Sequence, residues 1–138
     1  MLSQTVSFNI LAVILCIICN MVLGALWYSP VLFGTAWLRL VGKNKEDISS
    51  GDAMKSMLLS LIPAALSIVF LAVILSLVQA ATFADAIIIG SIISIGFIGM
   101  TTMNQVIYED RQLKLIAINV GYTFATYNIA AVILTLWK

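Results

Sequence analysis

The chain has 138 residues, 62% of them hydrophobic and 9% charged, with a formal net charge of +1 and a mean hydropathy of +1.13. A soluble domain is about 45–50% apolar and about 25% charged; a chain this short has too little interior to hide the excess, so that surface must face lipid. The near-zero net charge gives no electrostatic case for nucleic acid, and the absence of histidine removes the commonest general base and every His-containing metal site.

A spanning helix takes about 20 largely apolar residues. Four segments qualify, over about 6–28, 56–78, 84–107 and 115–137, none with a charge in its interior. Each is a continuous apolar run rather than an alternating one, and an isolated strand cannot satisfy its backbone in lipid. The expectation is one all-α membrane domain over 1–138, a bundle of four transmembrane helices.

The first segment has no Lys or Arg over residues 1–20 and its apolar run exceeds a signal-peptide core, so it reads as an uncleaved spanning helix. Cys16 and Cys19 form a C-x-x-C within it; lipid disfavours thiolates, and the pair reads as two small apolar residues. After it, residues 30–41 are apolar but too short to span, with Phe33, Trp37, Leu40 and Val41 near one helical face. Pro30 ends the first helix and suits the first turn of another. Trp27, Tyr28 and Trp37 are the amphipathic aromatics of a headgroup boundary, so a short interfacial helix is expected over 30–41, with a polar, mobile stretch after it over 42–52.

The second segment carries Ser56, Ser60, Pro63, Ala64 and Ser67 on one stripe, and Pro63 should bend it. A tight turn over 79–83 leads to the third, where Asp85 suits the helix start. At 100° per residue, Gly90, Ser94, Phe97, Thr101, Asn104 and Tyr108 share a face of the third segment, with Gly96 and Gly99 on its other side. Glu109, Asp110 and Arg111 come next, in a short charged loop. In the fourth segment Ala117, Gly121 and Ala125 form a small-residue face for helix packing or a second copy, with Asn128 beside it, opposite Asn119, Tyr122, Thr123 and Thr126. Short loops make the last three helices antiparallel neighbours.

Six of the seven basic residues, Arg39, Lys43, Lys45, Lys55, Arg111 and Lys114, fall in the first and third connections, and only Lys138 on the other side. This bias places both loops in the cytoplasm and both termini outside, in the cell (plasma or inner) membrane.

Asn20, Ser60, Asn104 and Asn119 each lie five to eight residues from their charged or aromatic boundary, about 8–12 Å deep at about 1.5 Å per residue. One polar layer beneath the cytoplasmic surface is expected, bordered by Trp27, Tyr28 and Tyr122; Glu109 and Arg111 read first as part of a solvated loop with local ion pairs and alternatively as a cover over the mouth formed by Trp27 and Tyr28. Two readings of the layer stand: hydrogen-bond glue between helices, or a polar floor to a cavity that binds a small polar ligand or ion.

The run Asn20-x3-Gly24-x2-Trp27-Tyr28-Ser29-Pro30-x2-Phe33-Gly34-x2-Trp37 resembles the signature of an uncharacterised family of small, mostly bacterial membrane proteins, a domain of unknown function. The resemblance continues through Asn104-x3-Tyr108-Glu109-x-Arg111, where members usually have Phe at the position of Tyr108, and through Ile118-Asn119-x-Gly121-Tyr122, covering essentially the whole chain. It implies a four-helix membrane fold and no activity.

Three function classes remain open. An accessory or assembly role in the membrane, with a homo-oligomer or another membrane protein as partner besides the bilayer, ranks first. An oligomeric small-solute or ion transporter ranks second, since no intramembrane carboxylate or lysine marks an ion path. An enzyme ranks last, for want of a recognisable catalytic constellation, metal cluster or cofactor motif.

Overall fold

The computed structural model describes residues 5–138. Among them there are five helices and no strand: α1 (Ile10–Trp27), the short α2 (Gly34–Leu40), α3 (Ser50–Leu77), α4 (Phe83–Tyr108) and α5 (Leu113–Leu136). All but α2 are long and apolar enough to cross a membrane.

Local signals set the ends. The Asn9 side chain caps α1 by accepting from the N–H groups of Leu11 and Ala12 at 2.9 and 3.4 Å. Thr82 and Asp85 form a reciprocal capping box at the start of α4, in keeping with the placement of Asp85 in the sequence. The polar stretch after α2 is laced by local hydrogen bonds. Gly42 turns the chain with a φ of +73°, the Lys43 N–H reaches back to the Leu38 carbonyl at 3.0 Å, and a 3-10 turn over Lys45–Asp47 leads into the Ser49 cap of α3.

The interfacial segment starts later than its sequence suggests. Residues 29–33 form a tight corner, in which the Phe33 N–H donates to the Trp27 carbonyl at 3.0 Å and the Gly34 N–H to the Ser29 carbonyl at 2.9 Å. A Cβ on Gly34 would fall onto the Tyr28 carbonyl oxygen and within 2.7 Å of the Ser29 carbonyl group. Backbone on every side cannot yield, so glycine is required there by close approach.

The last helix organises the bundle. α5 packs against α1, α3 and α4 along its length and against α2 near its start, and α1 also packs against α3. α3 and α4, though joined by a short turn, do not pack broadly on each other. The core lies toward the end that carries the termini, where Ala12, Val13 and Cys16 meet Ile68, Leu71, Ala72 and Leu75 and also Ala130, Ala131 and Leu134. At the opposite end, which carries the charged loops, every residue of α3 from 50 to 60 is exposed.

α4 is interrupted by a π-helical turn, Ile92–Gly99. Its i→i+5 bonds add a residue per turn, and each extra residue rotates the rest of the helix by about 100°. Buried positions accordingly run Ala86, Gly90, Ser94 at four-residue spacing and then Gly99, five further on. Both glycines let α5 approach: a Cβ on Gly90 would sit 2.9 Å from Asn128 Oδ1, and one on Gly99 3.2 Å from Val120 Cγ1. The face expected to run unbroken from Gly90 to Tyr108 is split, because α4 is not one continuous α-helix. Its first half meets α5, and Phe97, Thr101, Asn104 and Tyr108 turn outward.

Gly34→Ala should destabilise the protein by about 1–3 kcal/mol, the range for overpacking, read as a lower thermal midpoint in detergent. Gly51→Ala, in the first turn of α3 with nothing closer than 4.0 Å, should leave the midpoint unchanged or raise it.

Candidate functional site

The corner after α1 delivers two aromatic rings to α5. The Trp27 indole N–H donates to the Ile118 carbonyl at 3.1 Å. Its ring lies over Gly121, where a Cβ would come within 3.1 Å of it. The Tyr28 hydroxyl donates to Asn119 Oδ1 at 3.0 Å. From α5, the Tyr122 hydroxyl returns to α1 and donates to Asn20 Oδ1 at 2.6 Å, also lying 3.2 Å from the Asn20 carbonyl. Gly24 admits it, since a Cβ there would be 3.0 Å from the same hydroxyl oxygen. The rings stack into one cluster, with Trp27 against Phe33 at 4.8 Å, Tyr28 edge-on to Tyr122 at 5.3 Å and Tyr28 edge-on to Trp37 at 5.6 Å between centroids.

Of the residues expected in the polar layer, this cluster unites Asn20, Trp27, Tyr28, Asn119 and Tyr122. Ser60 stands across from it on α3, exposed, its hydroxyl donating to the Met57 carbonyl at 2.7 Å. Asn104 does not join, because the π turn has rotated it to the outer face of α4. Glu109 and Arg111 pair with each other at 3.6 Å in the exposed loop and do not close over Trp27 and Tyr28, which face inward to α5 and α2. The small-residue face of α5 is altered too: Gly121 is occupied by Trp27 of the same chain, Ala125 is partly covered and Ala117 is exposed.

Between α1, α3 and α5 a cleft runs from the charged-loop end into the bundle. A cavity of about 260 Å³ has Asn20, Pro63, Ser67, Leu71, Tyr122 and Tyr127 among its walls. An adjoining space of about 320 Å³ shares Asn20, Met21, Ser60 and Tyr122 with it and adds Tyr28 and Met57. A wider one of about 740 Å³ shares Tyr28, Met57 and Ser60 and reaches Trp37, Lys43, Asp47 and Asp52. The serine stripe of α3 faces this cleft rather than a neighbouring helix. A packed layer that includes Leu71, Ala72, Leu75 and Leu134 closes its inner end, and a separate cavity of about 500 Å³ lies beyond, at the terminal end.

Sequence reasoning overlooked Tyr127 as a wall of the cavity and the contact of Asn128 with α4. Tyr127 reads as one more core aromatic. Asn128 is 7% exposed, takes the Ser91 hydroxyl at 3.3 Å on Oδ1 and donates to the Phe124 carbonyl at 2.8 Å; its place beside the small-residue stripe holds no sign of a partner on α4. Among the described residues no group of His, Cys, Asp or Glu could hold a metal ion. Cys16 and Cys19 are free thiols, Cys16 buried against the Ala130 carbonyl.

A double-mutant cycle of Tyr122→Phe with Asn20→Ala should return a coupling of roughly 0.6 kcal/mol and no more than about 1.7, the span found for interhelical hydrogen bonds in membranes. A coupling indistinguishable from zero in unfolding measurements would mean that this bond adds nothing to stability.

No curated protein and no solved structure matches the chain. A family model described as a protein of unknown function, DUF1761, matches residues 11–135 and so takes in every residue of the aromatic cluster and the cleft; the chain belongs to that family.

Proposed function

We propose that the protein is an accessory membrane protein that works by lateral association with another transmembrane helix. The observation that carries this reading is the outward carboxamide of Asn104. It lies about 8 Å inside the charged boundary at Glu109 by helical rise, and it is exposed, with no hydrogen-bond partner among the described residues. Lipid offers such a group nothing, and an unsatisfied polar group in hydrocarbon costs several kcal/mol. A helix bearing its own polar side chain at that depth would satisfy it. A second copy of this chain supplies one in its own Asn104, since a carboxamide both donates and accepts and can pair across a twofold axis. Gly96 and Thr101 on the same outer face leave room for close approach, the Thr101 hydroxyl being already committed to the Phe97 carbonyl at 2.6 Å.

The second reading, transport of a small solute by an oligomer, draws on the cleft. Against it stand the apolar layer at Leu71 and Leu75, which interrupts any polar path, and the absence of charge along the cleft walls within the bundle. In both readings the protein sits in the plasma or inner membrane with its charged loops cytoplasmic.

A photoreactive residue placed at 104 in cells should crosslink to a second copy or to one distinct membrane protein, while the same residue at Val22, a lipid-facing position on α1 that is 63% exposed, should not. Asn104→Leu should weaken the association by roughly threefold, the equivalent of about 0.6 kcal/mol. Equal crosslinking at both positions, or none at 104, would sink the accessory reading. For orientation, a cysteine within 43–52 should be protected from an impermeant thiol reagent outside intact cells; labelling there reverses the topology.

A further inference from the structure

The cavity beneath the aromatic cluster holds three hydrogen-bond donors that have no acceptor among the described residues. Thr123 and Thr126 spend their hydroxyl protons on the carbonyls of Asn119 and Tyr122, at 3.0 and 2.9 Å. Three other lining residues keep theirs. The Asn20 amide accepts from Tyr122 through Oδ1, and its Nδ2 has no acceptor; the hydroxyls of Ser67 and Tyr127 have no partner among the described residues. These three donors, all on half-buried residues, sit among Met21, Pro63, Ile68, Leu71 and Ala130. None of the lining residues is charged.

From this we infer that the cavity binds an uncharged amphiphile through a carbonyl oxygen. The Asn20 Nδ2 can only donate, and the free hydroxyls of Ser67 and Tyr127 can each donate, so one carbonyl oxygen in the ligand can accept from all three. An ion is excluded on energetic grounds, because a buried charge without a counter-charge is far costlier than a buried neutral dipole. The apolar remainder of the wall requires an apolar body. Entry is lateral and from the loop end: residues 50–60 and Pro63 of α3 are exposed, so the cleft opens along α3 toward the hydrocarbon. Its mouth, with Trp37, Lys43, Asp47 and Asp52, suits the hydrated end of the same molecule. From Asp52 to Leu71 the cleft runs along about 28 Å of helix, so a ligand can be anchored at one end and buried at the other. Two sources share this chemistry, the acyl ester of a neutral bilayer lipid and the ring of a lipid-soluble quinone. The inference does not rest on the association through Asn104.

The test uses the full-length protein in neutral detergent with three photoreactive probes: a monoacylglycerol ester with a diazirine in its tail, the ether-linked counterpart that lacks the carbonyl, and a prenylquinone bearing the same diazirine. Crosslinks are mapped by peptide mass spectrometry. The ester or the quinone should label the walls near Ser67 and Thr126, and whichever labels identifies the source. The ether should label roughly tenfold less than the ester, as expected for losing hydrogen bonds to buried donors. Ser67→Leu fills the cavity and should abolish that labelling. Tyr127→Phe, which removes only a hydroxyl, should lower carbonyl-probe labelling and leave the ether unchanged, so the proposal stays testable even if Ser67→Leu fails to fold. Equal labelling by ester and ether, labelling that survives both substitutions, or absence of any cavity label would each overturn it.

Discussion

The indole of Trp27 sits on Gly121 and donates to the Ile118 carbonyl, and much else in the fold depends on that contact. Lipid tails are as apolar as leucine, so nothing but close packing and hydrogen bonds draws helices together in a bilayer. At the end of α1 the chain must also reverse into a short second helix. The indole ties that corner to α5, Phe33 stacks on its ring, and the Gly34 backbone closes onto the Tyr28 and Ser29 carbonyls. Tyr28 is thereby aimed at Asn119 and Tyr122 is held opposite Asn20. Removing the glycine or the indole would disturb the corner and the cleft wall together.

The same scarcity of driving force explains how unevenly the bundle is packed. Toward the terminal end small residues allow α1, α3 and α5 to meet in a dry core around Ala12, Cys16, Ala72 and Ala131. Toward the loop end the aromatic cluster occupies the α1–α5 contact and α3 is left outside it. Pro63 falls near the change between the two regimes; it has no N–H to give the Leu59 carbonyl, and buried positions on α3 begin only at Ile68. The cleft is the space left where α1 and α5 are joined by polar and aromatic contacts that α3 does not share.

On the other side of α5 the π turn in α4 divides two tasks. Before it, Gly90 and Ser94 lie against α5 and Asn128 fits over the glycine. After it, Gly99 continues the packing and a polar face turns outward from the bundle. An uninterrupted α-helix would have kept Asn104 on the same face as Gly90. The inserted residues separate an inner polar cluster from an outer carboxamide, so two chemically distinct surfaces arise from asparagines at equal depth.

The four spanning helices, the charge in their connections and the short apolar helix between the first two are all legible in the chain, since hydropathy and charge act over one helix length and need no partner. Asn20 and Asn119 are also identifiable there, because their offsets from the boundaries put them at one depth, with Tyr28 as a boundary aromatic and Tyr122 on the polar face of the last helix. Depth says nothing of direction. Asn104 and Asn119 are alike in residue type and distance from the charged loop, yet one turns outward from the bundle and the other receives Tyr28. That difference lies in the hydrogen-bond register of α4, which shifts where glycines let α5 come close, and no 100° wheel drawn on the sequence contains it. The occupant of the Gly121 face is equally out of reach: a small-residue stripe specifies close approach but not the approaching group, and the tight corner at Gly34 supplies Trp27 of the same chain.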